Sequence, residues 1–206
     1  MQSKDHYIIG YGSLLQTDSR SKNISIDSKV IPVRVKGFRR EWNFQPDIRG
    51  FTCTFLGVVD DSSASMNGIL IPVSSSELPA LDQRENGYTR LSVSRSSIEP
   101  LHAKSMPEGN VMIYQTEVPK LPEPRYPILQ SYIDICLQGC MEIDREFKTE
   151  NQFTDEFLDS TSGWSGDWVN DRMFPRAPFR HVPQAVEIDR ILHARFPEFF
   201  TQIKIE

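Results

Sequence analysis

Alternating or continuous runs of β-branched and aromatic residues mark six stretches of the chain: Tyr7–Gly10, Val30–Trp42, Thr52–Val59, Gly68–Pro72, Tyr88–Ser97 and Val111–Gln115. Such runs suit a pleated, half-buried surface, so each stretch is predicted to be a strand. Turn residues separate several of them at Pro46-Asp47, Asp60-Asp61 and Glu108-Gly109. Between the strands, Ser76–Asn86 reads as a short helix, opened by a serine cap and stopped by Gly87.

The pattern changes in the second half. Over Pro127–Lys148 the apolar residues Ile128, Leu129, Tyr132, Ile133, Ile135, Cys136, Leu137, Cys140, Met141 and Ile143 recur close to the 3.6-residue helical period, which predicts the main buried helix. Asn151–Asp159 and Pro183–Phe196 are predicted as two further helices, joined by a Trp/Arg/Pro-rich segment. Strands first, one helix among them, then helices, is an α+β order. It predicts a small, strongly curved or closed mixed β-barrel of about six strands packed with helices. Residues 1–206 are read as one domain, with 150–206 a C-terminal helical extension, since the region near Asn151 lacks a linker composition.

The chain has 206 residues, 38% of them hydrophobic and 25% charged, which is ample for a core. Its 23 Lys+Arg against 28 Asp+Glu leave a net charge of −5, which argues against a basic nucleic-acid binder. No apolar run approaches the roughly 20 residues needed to span a bilayer, and the start MQSKDH is polar, so a cytoplasmic protein without membrane or nucleic-acid partners is expected. Cys136 and Cys140 fall four apart and would share a helix face, where two thiols could hold a metal. No histidine completes such a site: His6, His102, His181 and His193 are scattered, and no HExxH pattern occurs. The cysteines are therefore expected to be buried small residues, with no metal and no cofactor.

Two elements carry candidate chemistry. Gly10-Tyr11-Gly12-Ser13-Leu14-Leu15 follows the first strand directly. It starts like a dinucleotide fingerprint, but Leu15 replaces the third glycine and Gln16–Asn23 lacks helical periodicity; a GxSxG elbow is also absent. What remains is a tight turn, either purely structural or offering backbone N–H groups to a carboxylate or developing oxyanion. The second element is Leu81-Asp82-Gln83-Arg84-Glu85-Asn86-Gly87-Tyr88-Thr89-Arg90. At 100° per residue, Glu85 falls about 20° from Leu78 and about 40° from Leu81, which turns a carboxylate onto the apolar stripe. Burial would raise its pKa toward the range of an effective proton shuttle. The competing reading is a structural ion pair of Glu85 with Arg84 or Arg90; Asp82 would cap or pair locally.

The strand leading into Tyr11-Gly12-Ser13-Leu14, the Gly37-Phe38-Arg39-Arg40 strand, and the Asp82…Glu85…Gly87-Tyr88…Arg90 block, in that order, resemble the γ-glutamylcyclotransferase family with its ChaC-like, BtrG-like and AIG2-like branches. Pro127…Tyr132…Gly139-Cys140 extends the resemblance over roughly the first 140 residues. Leu14 follows the ChaC-like form of the turn, while Gln16-Thr17-Asp18 stands where that branch carries a tryptophan.

The resemblance implies an enzyme of glutathione-related metabolism that releases 5-oxoproline from a small γ-glutamyl substrate by attack of the substrate's own α-amine, without metal or cofactor. It makes Glu85 the general base and then acid, and places the substrate on Tyr11, Gly12, Ser13, Leu14 and Tyr132. A lone aromatic on a buried helix is more often a core residue, which is the competing reading of Tyr132. Arg39, Arg40 and Arg49 could attract an anionic substrate or simply be solvated. Gly163 to Arg172, followed by Pro175-Arg176 and Phe179-Arg180, is expected to pack as an arm over the barrel rather than to bind a ligand or single-stranded nucleic acid. The alternatives are a non-catalytic small-molecule or protein-binding module, and a hydrolase or acyltransferase acting on γ-glutamyl amides. A monomer or homodimer is expected.

Overall fold

The computed structural model describes residues 6–22, 29–46, 52–102, 105–150, 152–175 and 183–206. The first half contributes β1 (His6–Gly10), a one-turn 3-10 segment (Ser13–Leu15), α1 (Thr17–Ser21), β2 (Ile31–Phe44), β3 (Phe55–Val73), α2 (Leu78–Arg84), β4 (Tyr88–Ser92), β5 (Ile98–Pro100) and β6 (Asn110–Thr116). The second half contributes β7 (Ile128–Leu129), α3 (Gln130–Phe147), α4 (Gln152–Asp159), β8 (Thr161–Ser162), β9 (Trp168–Asn170), α5 (Ala185–Arg195), α6 (Pro197–Phe200) and β10 (Lys204–Ile205).

The main sheet runs β4-β6-β1-β3-β2-β5, with β8 on the free part of β2. β1 pairs parallel with β6 and antiparallel with β3, which makes the sheet mixed. The α+β class is as expected, and among the described residues no ladder joins β4 to β5 or β8, so no closed barrel is found there. Curvature brings the two sides together through other bonds. The Lys120 amide, just beyond β6, donates to the Asn43 carbonyl at 2.8 Å, and the Thr116 hydroxyl donates to Asn43 Oδ1 at 3.0 Å.

Three expected strand boundaries move. Residues 55–59 and 68–72 are parts of one long strand, because β2 supplies partners on both sides of the stretch between them, from Ile31↔Leu70 to Lys36↔Ser65 and from Phe38↔Asp60 to Phe44↔Phe55. The turn expected at Asp60-Asp61 survives as a bulge inside that strand: the register jumps from Lys36↔Ser65 to Phe38↔Asp60. Opposite it, Gly37 takes φ +87°, and Asp61 accepts from the Ser63 amide and from Arg39. The stretch Tyr88–Ser97 breaks after Ser92; a 3-10 turn at Arg95–Ser97 then sends the chain to the opposite sheet edge, where β5 pairs with β2.

The helices shift less. Residues after the glycyl turn, expected to be non-helical, form the five-residue α1, capped by the Gln16 side chain on the Ser19 amide and too short to show a period. Ile128 and Leu129, assigned above to the main helix, pair instead with β9 as a short strand. β7, β9 and β10 form a second, three-stranded sheet, so 150–206 carries strands as well as helices. Cys136 and Cys140 are fully buried free thiols on α3, and burial pushes the Cys136 thiol up to about 12.

The Trp/Arg segment packs inward at residues 168–171, whereas Met173 and Phe174 just after it are exposed. Trp168 and Asp171 are buried, and Asp171 caps α3 by accepting from the Ser131 amide and hydroxyl at 2.9 and 2.7 Å. Arg172 makes paired hydrogen bonds to Asp134 of α3 and to Asp189 of α5, which ties the last long helix to the main one. Arg49, Arg176, Phe179, Arg180 and His181 lie outside the described residues. Among those described, no helix is long and apolar enough to cross a membrane.

Candidate active site

β1 runs through the middle of the sheet and ends at Gly10, so the turn that follows opens at the sheet's edge. The Leu15 amide closes that turn on the Gly12 carbonyl at 2.9 Å. α3 crosses beneath it, and the Tyr132 hydroxyl accepts a hydrogen bond from the Ser13 amide. One of the amides expected to face a ligand is thus already engaged, and the hydroxyl it holds becomes part of the same surface. α2 brings Glu85 to the other side. These residues line a cleft of about 310 Å³, its open mouth included, together with Ile9, Leu56, Tyr88 and Tyr114. All six residues singled out in the sequence, Tyr11, Gly12, Ser13, Leu14, Glu85 and Tyr132, meet in this one cleft.

Glu85 reaches it by a route slightly different from helical periodicity. α2 stops at Arg84; the Glu85 amide still bonds the Leu81 carbonyl at 2.8 Å, but Glu85 itself has left helical geometry at φ −89°, ψ 29°. Gly87, at φ +96°, then reverses the chain into β4, as a residue with a side chain would do only under strain. The Glu85 side chain is 18% exposed, and burial raises its pKa; Arg84, with Nε 3.1 Å from Oε1, opposes that rise by charge and hydrogen bond. The Arg84 ion pair weighed from sequence therefore exists alongside the inward carboxylate. Arg90 pairs with Asp82 instead, at 3.0 Å, and Asp82 also accepts from the Tyr114 hydroxyl at 2.8 Å.

Tyrosines surround the carboxylate. The Tyr11 hydroxyl donates to the Tyr114 carbonyl at 2.7 Å, and the Tyr88 hydroxyl donates to the Leu56 carbonyl at 2.8 Å. Burial first, and the nearby Glu85 charge second or later, raise the pKa of Tyr11, Tyr88, Tyr114 and Tyr132, so these rings are neutral hydroxyls throughout the physiological range. Tyr114 and Leu56 were missed in the sequence because each sits in an ordinary strand run; only the pairing of β4 with β6 and the curvature of β3 bring them to the cleft.

Arg40 is a correction. It does not face a substrate: it is fully buried beneath the turn, stacked on Phe157 at 3.9 Å. Its guanidinium donates to the Asn67 and Phe157 carbonyls, Asn67 Oδ1, Thr161 and Ser160 at 2.7 to 2.9 Å, and more weakly to the Tyr11 carbonyl at 3.4 Å. Burial lowers its pKa to about 10. Arg39 is tied to Asp61 at 2.8 Å.

No family model and no curated protein matches the sequence. Solved structures do. A γ-glutamyl cyclotransferase matches 72% of this chain and 85% of its own at TM-score 0.56 and 14% identity. An uncharacterized protein from Homo sapiens matches over the same shares at TM-score 0.52 and 14% identity. YkqA from Bacillus subtilis matches 76% of this chain but 55% of its own length, at TM-score 0.50 and 16% identity. At such identities the likeness is one of architecture: the chain has the γ-glutamyl cyclotransferase-like α+β fold.

Proposed function

We propose that the chain is a γ-glutamylcyclotransferase-type enzyme with Glu85 as its proton carrier. The observation that carries this reading is the placement of a shielded carboxylate of raised pKa in one cleft with the Tyr11–Leu14 turn and the Tyr132 hydroxyl. The substrate supplies its own nucleophile, so the protein's work is conformational and protolytic. Glu85 removes a proton from the α-ammonium. The freed amine attacks the γ-carbonyl carbon, a C–N bond forms to close the five-membered ring, and the carbonyl oxygen becomes an oxyanion that hydroxyl and amide donors of the turn stabilise. Glu85 returns the proton to the leaving nitrogen as the original amide bond breaks, and the second proton of the former α-ammonium, still on the ring nitrogen after attack, passes by way of Glu85 to the expelled amine, giving 5-oxoproline and an ammonium product. One carboxylate serves as base and acid because its pKa is moved toward neutrality.

The test is a panel of γ-glutamyl dipeptides, γ-glutamyl-ε-lysine and glutathione, followed for 5-oxoproline and for free glutamate. 5-Oxoproline from at least one substrate is expected, lost in Glu85→Gln, which keeps shape but carries no proton. Since burial raises the Glu85 pKa and the ionised form is the base, kcat/KM should climb with pH along a limb displaced above the ordinary value of 4.5. Free glutamate would mark a hydrolase, absence of product a binding module, and near-normal turnover of Glu85→Gln would remove Glu85 from the chemistry.

A further inference from the structure

Side chains of consecutive helical residues point about 100° apart, so Arg84 and Glu85 could not pair within an uninterrupted helix. They meet because α2 ends between them. The Arg84 guanidinium then reaches three places at once. Nε lies 3.1 Å from Glu85 Oε1; Nη2 lies 3.3 Å from Ser13 Oγ and 3.0 Å from Ser19 Oγ; Nη1 donates to the Ser19 carbonyl at 2.7 Å. Ser13 belongs to the turn lining the cleft and Ser19 to α1 behind it, so one planar group spans the carboxylate, the turn and the turn's support.

We propose that Arg84 is the positioning residue of the site, its fork setting the Glu85 carboxylate at a fixed distance from the Ser13 turn. This rests on the reading of Glu85 as proton carrier. A surface ion pair would need neither Ser13 nor a partner only 18% exposed. A lysine at this position would keep the charge but could not reproduce the fork. Arg84 also acts on the charge of Glu85. The groups that face the carboxylate from other elements are Tyr11, Tyr88, Tyr114 and Tyr132, all neutral; Asp82 is taken up by Arg90 and Tyr114, and Arg40 lies under Tyr11. Arg84 is the cation that opposes desolvation of Glu85.

The experiment compares wild type, Arg84→Met and Arg84→Lys by two readouts. The first is an NMR titration of the Glu85 side-chain carboxyl in protein labelled at glutamate carbon, assigned with Glu85→Gln. The second is kcat and KM on the best γ-glutamyl substrate across pH. In Arg84→Met the Glu85 midpoint should move up, the rising limb of activity should move with it, and kcat should fall about tenfold or more with a smaller change in KM. In Arg84→Lys the midpoint and limb should return toward wild type while kcat stays low, because charge is restored and geometry is not. An unmoved midpoint in folded Arg84→Met, or an Arg84→Lys protein with wild-type kcat, overturns the proposal. If the wild type turns nothing over, cyclisation fails as the function, while the titration still decides whether Arg84 governs Glu85. If Arg84→Met does not fold, the lysine variant's midpoint and kcat decide in its place.

Discussion

Gly139 sits in the interior of α3, where alanine is normally favoured by about 1 kcal/mol. Gly139→Ala should nevertheless destabilise this protein. A Cβ built there stands 2.4 Å from the Gln16 amide nitrogen, 2.5 Å from the Leu15 carbonyl carbon and 2.7 Å from Leu15 Cβ, where ordinary contact begins at 3.4 Å. Relief requires a movement of about 1 Å, and the atoms in the way are backbone, not the tip of a flexible side chain. Overpacking of this kind costs about 1–3 kcal/mol, and the backbone movement required puts this site at about 2–3 kcal/mol, which outweighs the propensity gain of about 1 kcal/mol and leaves a net loss of about 1–2 kcal/mol. For a chain of this size that is a fall of about 2–8 °C in Tm. The displaced segment is the end of the Ser13–Leu15 turn, so the same movement opens the distance between Ser13 and Glu85. Turnover should fall more than stability does, by up to about 100-fold for a 1 Å misplacement. Thermal unfolding followed by circular dichroism, with kcat measured well below Tm, tests both. A Tm equal to or above wild type would show that the turn yields freely and that close packing of α3 does not hold it.

Other consequences concern buried charge. Arg40→Met removes a cation that no carboxylate among the described residues pairs, but takes a donor from the Asn67 and Phe157 carbonyls, Asn67 Oδ1 and two hydroxyls, of which the Phe157 carbonyl keeps the Thr161 hydroxyl as a second donor. A loss of about 3–5 kcal/mol is expected by urea titration, and a loss under about 1 kcal/mol would mean that the desolvation relieved equals the bonds broken. Arg172→Ala should also destabilise, and in a pH-dependent way. Burial raises the Asp134 pKa and Arg172 counteracts it, so without Arg172 the folded-state pKa rises further. A raised carboxyl contributes stability below its unfolded pKa that is lost as pH climbs through the folded value. The deficit of Arg172→Ala should therefore be larger near about pH 8 than near about pH 4, and equal deficits in urea titrations at both would contradict the linkage.

Local chemistry decided a good deal on its own. The apolar periods placed β1, β2, β6, α2 and α3 because each buries one face, and a face is written in the residues of its own segment. The turn after β1 and the carboxylate after Leu81 were legible for the same reason, and they carried the resemblance to the γ-glutamylcyclotransferases. What depended on partners was not legible. Asp60-Asp61 has the residues of a turn and yet lies within β3, because β2 supplies hydrogen bonds on both sides of it. Ile128 and Leu129 fit a helical stripe and yet pair as a strand, because β9, some forty residues later, offers an edge. Arg40 reads as a surface cation until β8 and α4 close over it. At Glu85 the two levels meet. The sequence determined that a carboxylate turns inward beside Leu81; only the tertiary structure decided that α2 ends one residue before it. That placement sets Arg84 against Glu85 and Ser13 together, because hydrogen-bonding reach across elements is a property of their packing and not of any one segment.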